Sequence, residues 1–218
     1  MARKKKTIYA MSRRGRNLAL GVVLLSAALL VLLDRSPLRH QWQAPHKSDN
    51  PPRTCDNEKY HDKIFTVVNV VDGDTIDIDL PDAEHDRTRI RLLGIDAPET
   101  RSENPVVRAQ GREAAEFARK LSLGKQVTVY LDEGSNTRGK YGRLLAYVRL
   151  PDGGFLNEVL LTEGYAYADL RFRHSLYNKY RQLQALAHSR KKGLWEKPTR
   201  EQLPQWLQER EPNLLAKK

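Results

Sequence analysis

RIRLLGIDAPET, residues 89–100, begins as an apolar strand and ends in two carboxylates, Asp96 and Glu99, three residues apart with Pro98 between them. Arg91 stands five residues before Asp96. Two readings fit: a solvated turn where a buried strand runs out, or a phosphoryl-transfer site at a strand end. Turn residues are common at strand ends, so the stretch alone favours the turn. Its neighbours have to decide.

Upstream, KIFTVVNVV (63–71) is a β-branched run and TIDIDL (75–80) alternates strictly, placing Ile76, Ile78 and Leu80 on one face. Asp72-Gly73 between them predicts a hairpin. RTRIRLLGI (87–95) is then a third strand. Downstream the period changes: Val107, Ala114, Ala115, Ala118 and Leu121 share a helical face, and Gly124 fits a stop. KQVTVYL (125–131) and RLLAYVRL (143–150) read as two more strands, joined by a loop with Gly134, Gly139 and Gly142. A short helix in FLNEVLLTEGYA and a longer one in SLYNKYRQLQALAHSRKKGLW follow. This order predicts an α+β, mainly β fold: a five-stranded barrel of the oligonucleotide/oligosaccharide-binding type with about three packed helices.

Three acidic or basic clusters fall at strand ends: Asp72 and Asp74 in VVDGDT; Arg91, Asp96 and Glu99; and Lys140 and Arg143 in GKYGR. Each alone has a bland reading as turn, helix cap or solvated loop. Together they supply what phosphodiester cleavage requires. Asp74 and Asp96 offer hard oxygen ligands for a cation. Glu99 is a carboxylate able to take a proton from water. Arg91 and Arg143 can hold phosphoryl oxygens through paired hydrogen bonds. No phosphate-loop pattern, Cys/His metal spacing or Glu-x-Lys after Pro81-Asp82 supports another catalyst. The six histidines are scattered, and His174 is expected on the surface or a helix.

VVDGDT, RIRLLGIDAPE and KYGRLLAYV, in this order and at comparable separations, resemble the staphylococcal nuclease (thermonuclease) family over about residues 61–196. The resemblance implies a five-stranded barrel with three helices and a Ca²⁺-dependent phosphodiesterase that cuts DNA and RNA to 3′-phosphates. It implies Asp74, Asp96 and the carbonyl of Ala97 as calcium ligands, Glu99 as general base, and Arg91 and Arg143 as phosphate-binding arginines. The sequence departs from the family at Gly139, where an acidic residue is often found, which predicts a looser loop. Where the family carries tyrosines at the nucleotide site, Leu170 and Phe172 stand here. Base stacking therefore falls to Phe172, or to Tyr165 and Tyr167 in a shifted register.

The chain of 218 residues carries a formal charge of +11, but seven cations precede the first acidic residue, Asp34, leaving +4 for residues 34–218. Charge alone is thus weak evidence for nucleic acid. Residues 1–17 read as a basic cytoplasmic segment and 18–33 as a charge-free apolar run. That run lies between the lengths of a membrane span and a signal-peptide core; an uncleaved signal anchor is favoured over a cleaved signal. Either way the flanking cations place the chain beyond the apolar run outside the cytoplasm. Residues 34–58 are expected as a linker, 59–197 as the nuclease-like domain and 198–218 as a polar tail with one amphipathic turn at Trp206 and Leu207. The lone Cys55 cannot close an intrachain disulfide. The expected partners are single-stranded or frayed DNA and RNA, and the membrane through the N-terminal helix, for a monomeric enzyme. The rivals are a catalytically silent barrel that only binds nucleic acid, and an envelope interaction module with the barrel as scaffold.

Overall fold

Alternation between residues 63 and 80 folds the chain back on itself around Asp72-Gly73-Asp74. A computed structural model, which describes residues 53–215, forms strand β1 over Lys63–Asp72 and β2 over Thr75–Ile78, paired antiparallel. Irregularities between Val67 and Asn69 and between Val70 and Asp72 interrupt the β1–β2 register, and such bulges bend and twist a strand. Strand β3 (Thr88–Leu92) adds antiparallel to β2, and β5 (Gln126–Tyr130) adds antiparallel to β1. Strand β6 (Leu144–Arg149) closes the barrel, antiparallel to β5 and parallel to β3, in the order β1-β2-β3-β6-β5. The five expected barrel strands are therefore all present. The third ends earlier than its apolar run: the chain turns at Gly94 (φ +79°), and β4 (Ile95–Asp96) leaves to pair with β7 (Tyr167–Ala168).

The barrel interior is aliphatic: Val67, Ile76, Ile78, Ile90, Val129, Leu144, Ala146 and Val148 have no exposed surface. Each Val, Leu or Ile so buried is worth about 1.5–3 kcal/mol. Alternation would put Asp77 in solvent, yet it too is sealed. Arg89 covers it through hydrogen bonds of 2.7 and 3.1 Å, and Asn69 donates at 3.0 Å.

Three helices pack on the barrel as expected: α2 (Pro105–Ser122), α3 (Leu156–Thr162) and α4 (Tyr177–Ser189). Asn104 starts α2 by accepting from Val106 N at 2.9 Å, with a proline at the first helical position, where its missing N–H is harmless. Asn157 of α3 ties helix to barrel, accepting from Val148 N and donating to Leu93 O, each at 3.0 Å.

Two further helices correct the expected boundaries. Residues 53–58, assigned to the linker, belong to helix α1 (Arg53–Tyr60), whose buried face carries Asp56 and Tyr60. Asp56 accepts from Arg138 Nη2 at 2.6 Å and from Thr137 Oγ1 at 2.7 Å, across some eighty residues of sequence. The expected tail folds as well: Arg200–Gln202 is a 3₁₀ turn and α5 covers Gln205–Arg210, with Leu203 and Leu207 buried in the core. His174, expected on the surface or a helix, is on neither: it is buried in a loop before α4, with Nδ1 2.9 Å from the Tyr147 hydroxyl, and burial lowers its pKa. Cys55 is exposed on α1 without a disulfide. Among the described residues no helix is long and apolar enough to cross a membrane; the apolar run 18–33 lies outside them.

Candidate active site

Gly73 decides how close the first hairpin comes to the rest of the site. A Cβ there would fall 2.7 Å from the Cβ atoms of both Ala97 and Ala114, so only glycine lets the hairpin tip lie against the end of β4 and helix α2. Asp74 is thereby buried, accepting from Ala97 N at 2.7 Å and from Thr75 Oγ1 at 3.0 Å. Thr75 pairs with Arg91 across β2 and β3. Arg91 then bridges two carboxylates: Nη1 lies 2.6 Å from Asp74 Oδ2 and Nη2 donates to Asp96 Oδ1 at 2.7 Å. The Nη1 contact is ionic and badly aligned for a hydrogen bond.

Asp96 ends β4 opposite Tyr167, accepts from Trp206 Nε1 at 2.8 Å and forms an ion pair with Arg171 Nη2 at 3.0 Å. Glu99 is exposed beyond Pro98. Its backbone is seated by a second glycine: a Cβ on Gly111 of α2 would stand 2.6 Å from Pro98 O and 2.7 Å from Glu99 C. Although Glu99 is open to solvent, the surrounding protein partly desolvates its carboxylate; that desolvation, then the charges of Asp72 and Asp96, raise its pKa, while Arg91 and Arg143 pull it down. Glu99 thus lies in the field of both arginines.

Arg143 immediately precedes β6, whose Leu144 pairs with Ile90, so the β3–β6 seam brings it to the strand that bears Arg91. The loop before it is tightly closed, with Gly139 N donating to Arg143 O at 2.9 Å and Gly142 N to Gly139 O at 3.0 Å. The looseness expected at Gly139 is absent because Arg138, one residue earlier, is clamped by Asp56 and Asp82. The Arg143 guanidinium lies 5.9 Å from the Tyr141 ring and forms no ion pair with the described residues.

Whether calcium suits this site can be judged from its charges. Asp72, Asp74, Asp96 and Glu99 act on one another, and burial pushes Asp74 up to about 7 against the opposing charge of Arg91. Asp74 and Asp96, brought together on Arg91, offer only hard oxygens, which fits Ca²⁺. Among the described residues no three or more His, Cys, Asp or Glu side chains are grouped to hold a metal. Any ion would therefore rest on the Asp74 and Asp96 carboxylates with backbone carbonyl and water oxygens. Beside them opens a cleft of ≈ 490 Å³, walled by Asp96, Glu99, Arg101 and Arg171 on one side and Glu201 and Leu203 on the other.

Residues 89–197 match the family described as "Staphylococcal nuclease homologue". The thermonuclease of Staphylococcus intermedius is 31% identical over 186 residues, covering 84% of this chain and 99% of that protein. The chain belongs to the staphylococcal nuclease family. The thermonuclease of Staphylococcus hyicus is 29% identical over 181 residues, or 83% of this chain and 98% of its own length. An uncharacterized endonuclease of Escherichia coli is 33% identical over 147 residues, 65% of this chain and 81% of its own.

Within this nuclease fold the candidate stacking residues separate clearly. Tyr167 and Leu170 are buried, and Tyr165 stacks on Phe117 at 4.2 Å between centroids. Phe172 is 64% exposed, with Arg171 5.8 Å from its ring. Of the six residues read from the sequence as site members, Asp74, Arg91, Asp96, Ala97 and Arg143 lie within two residues of adjoining strand ends, and Glu99 follows three residues after β4. Three others were missed: Arg171, Trp206 and Gly111. The amphipathic turn at Trp206 was visible, but nothing local linked it to Asp96, 110 residues away. Gly111 in a helix interior was a signal of its own, because glycine there weakens a helix unless close packing requires it.

Proposed function

We propose that this nuclease is a Ca²⁺-dependent endonuclease that hydrolyses phosphodiester bonds of DNA and RNA, in single-stranded or frayed regions, to 3′-phosphate products. One observation carries the reading: Asp74, Arg91 and Asp96 interlock at one point, with Glu99 in the field of Arg91 and Arg143. Asp74, Asp96 and the Ala97 carbonyl would hold the calcium ion, which supplies Lewis-acid neutralisation of the phosphate charge. Glu99 takes a proton from the attacking water, and its raised pKa suits a group that must accept one. Arg91 has about five N–H donors and spends two contacts on carboxylates, so others remain for phosphoryl oxygens. Arg143 offers its guanidinium fork from the opposite side of the seam. As water adds to phosphorus, the P–O5′ bond breaks and the departing 5′-oxygen takes a proton from solvent, leaving a 3′-phosphate and a 5′-hydroxyl. Phe172, and Tyr141 at 75% exposure, offer open rings for bases. The apolar run 18–33 and the cations before it support a membrane anchor with the barrel outside the cytoplasm.

The deciding experiment is hydrolysis of DNA and RNA by the full chain, with Ca²⁺ and with a calcium chelator, followed by end-group analysis. Calcium should be required and 3′-phosphates found, and Glu99→Gln should lower turnover by about 10²–10⁴ while substrate still binds. Full activity in chelator would refute the calcium assignment. A silent chain with every residue intact would favour the nucleic-acid-binding module instead.

A further inference from the structure

The C-terminal segment reaches further into the site than a tail would. Its path is anchored at several points. Thr199 and Gln202 form a reciprocal capping box, Leu203 and Leu207 are buried in the core, and Arg181 lies 3.5 Å from Glu211. Between the two buried leucines the chain presents Trp206, whose indole N–H meets Asp96 Oδ2 at 2.8 Å. Arg171 lies beside both. Its guanidinium is held by Asp169 at 2.9 Å, forms an ion pair with Asp96 Oδ1 at 3.0 Å and stands 4.9 Å from the Trp206 ring.

We infer that Trp206 and Arg171 are positioning residues of the active site, which hold Asp96 in the orientation that binds the metal ion. The inference rests on the reading of Asp96 as a calcium ligand. A carboxylate has about four lone-pair sites. Arg91 and Arg171 occupy Oδ1 and Trp206 occupies one side of Oδ2, which leaves roughly one site open. Asp96 is therefore fixed in rotation and disposed to bind an ion through a single oxygen. Without the indole, the carboxylate is held from one oxygen only and is free to turn toward the two guanidiniums. Hydrogen-bond partners outside the ligand sphere act in this way on metal sites generally, and losing one typically costs about 10–100-fold in metal affinity. The segment that supplies Trp206 also supplies Glu201 and Leu203, the far wall of the cleft beside Asp96. The C-terminal segment is thus part of the site in two respects: it holds a ligand and it shapes the approach.

Trp206→Phe keeps an aromatic ring for Arg171 and the core but removes the pyrrole half of the indole, and the N–H with it. Calcium binding to the full-length parent and to this variant should be measured by titration calorimetry, beside turnover at saturating Ca²⁺ and thermal unfolding without Ca²⁺. The expected result is a calcium Kd raised about 10–100-fold, with unfolding unchanged and turnover largely recovered at saturating Ca²⁺. A purely structural role would lower the unfolding temperature and leave the calcium Kd in place. A Kd within about threefold of the parent, or a tighter one, overturns the inference. Should Trp206→Phe fail to fold, Arg171→Gln at a half-exposed position probes the same carboxylate, and an unchanged Kd there overturns it equally. A parent that takes up no calcium removes the premise, and that outcome differs from a calcium-binding parent whose variants match it.

Discussion

Replacing Gly111 by alanine tests whether helix α2, which carries none of the proposed catalytic side chains, sets the position of Glu99. The new methyl carbon would sit 2.6 Å from Pro98 O, 2.7 Å from Glu99 C and 2.8 Å from Glu99 O, where ordinary contact begins at 3.4 Å. The 98–99 backbone must therefore withdraw by roughly 0.6–0.8 Å, or the helix must move by as much, and a misplacement near 1 Å can cost about 10²-fold in rate. Stability should respond differently. Alanine in a helix interior gains up to about 1 kcal/mol over glycine, against an overpacking cost of about 1–3 kcal/mol. The balance is a net loss of up to about 2 kcal/mol, so the variant should still fold, with a lowered melting temperature, while turnover on DNA at saturating Ca²⁺ falls by about two orders of magnitude. Steady-state kinetics beside a thermal melt separate the effects. Turnover within about threefold of the parent in a folded protein would show that the loop absorbs the methyl without carrying Glu99 with it.

Asp56→Ala should cost about 3 kcal/mol or more, because Arg138 is buried and keeps only Asp82 as a carboxylate partner; a melt shows the loss directly. Activity should fall with it, since Arg138 anchors the loop that carries Arg143. Acid should also unfold the protein. Burial works against ionising Asp77, Asp82 and Asp132. Their hydrogen bonds, from Arg89, from Arg138 and from Ser175 respectively, outweigh it and hold all three below the ordinary 3.8. Groups with lowered folded pKa values stabilise the protein fully above the ordinary carboxylate range and lose that contribution as pH falls through the lowered values. Melting temperature should therefore drop steeply below about pH 4, and Asp77→Asn should flatten that drop; an unchanged slope would show that Asp77 contributes nothing to it.

The barrel was legible because its strands carry their burial in their own pattern: Ile76 and Ile78, Val127 and Val129, Ala146 and Val148 each face inward at a spacing of two. The site was legible for a related reason. Asp74, Arg91, Asp96 and Arg143 sit at strand ends, and pairing strands in a closed barrel forces those ends together. Helix α1 was not legible, because what buries it is polar: Asp56 faces an arginine some eighty residues away, and RTCDNEKY has no apolar period. The C-terminal segment hid for a similar reason, since two buried leucines four residues apart are too few to mark a helix. Asp77 shows the opposite error. Alternation sends it outward correctly, but Arg89 on the neighbouring strand then folds over it.

The parallel seam between β3 and β6 joins parts of the chain that are far apart in sequence, Ile90 with Leu144 and Leu92 with Ala146. Contacts of that range must close a long loop before they return any stability, so they form slowly. Arg91 and Arg143 lie on either side of this seam. The two guanidiniums therefore share one location only in chains whose barrel has shut, and any opening that separates the strands also separates them. Complete chains whose barrel is still open hold every chemical group of the site and no working arrangement of them. Closure of the sheet is thus itself the step that brings the two guanidiniums to one place.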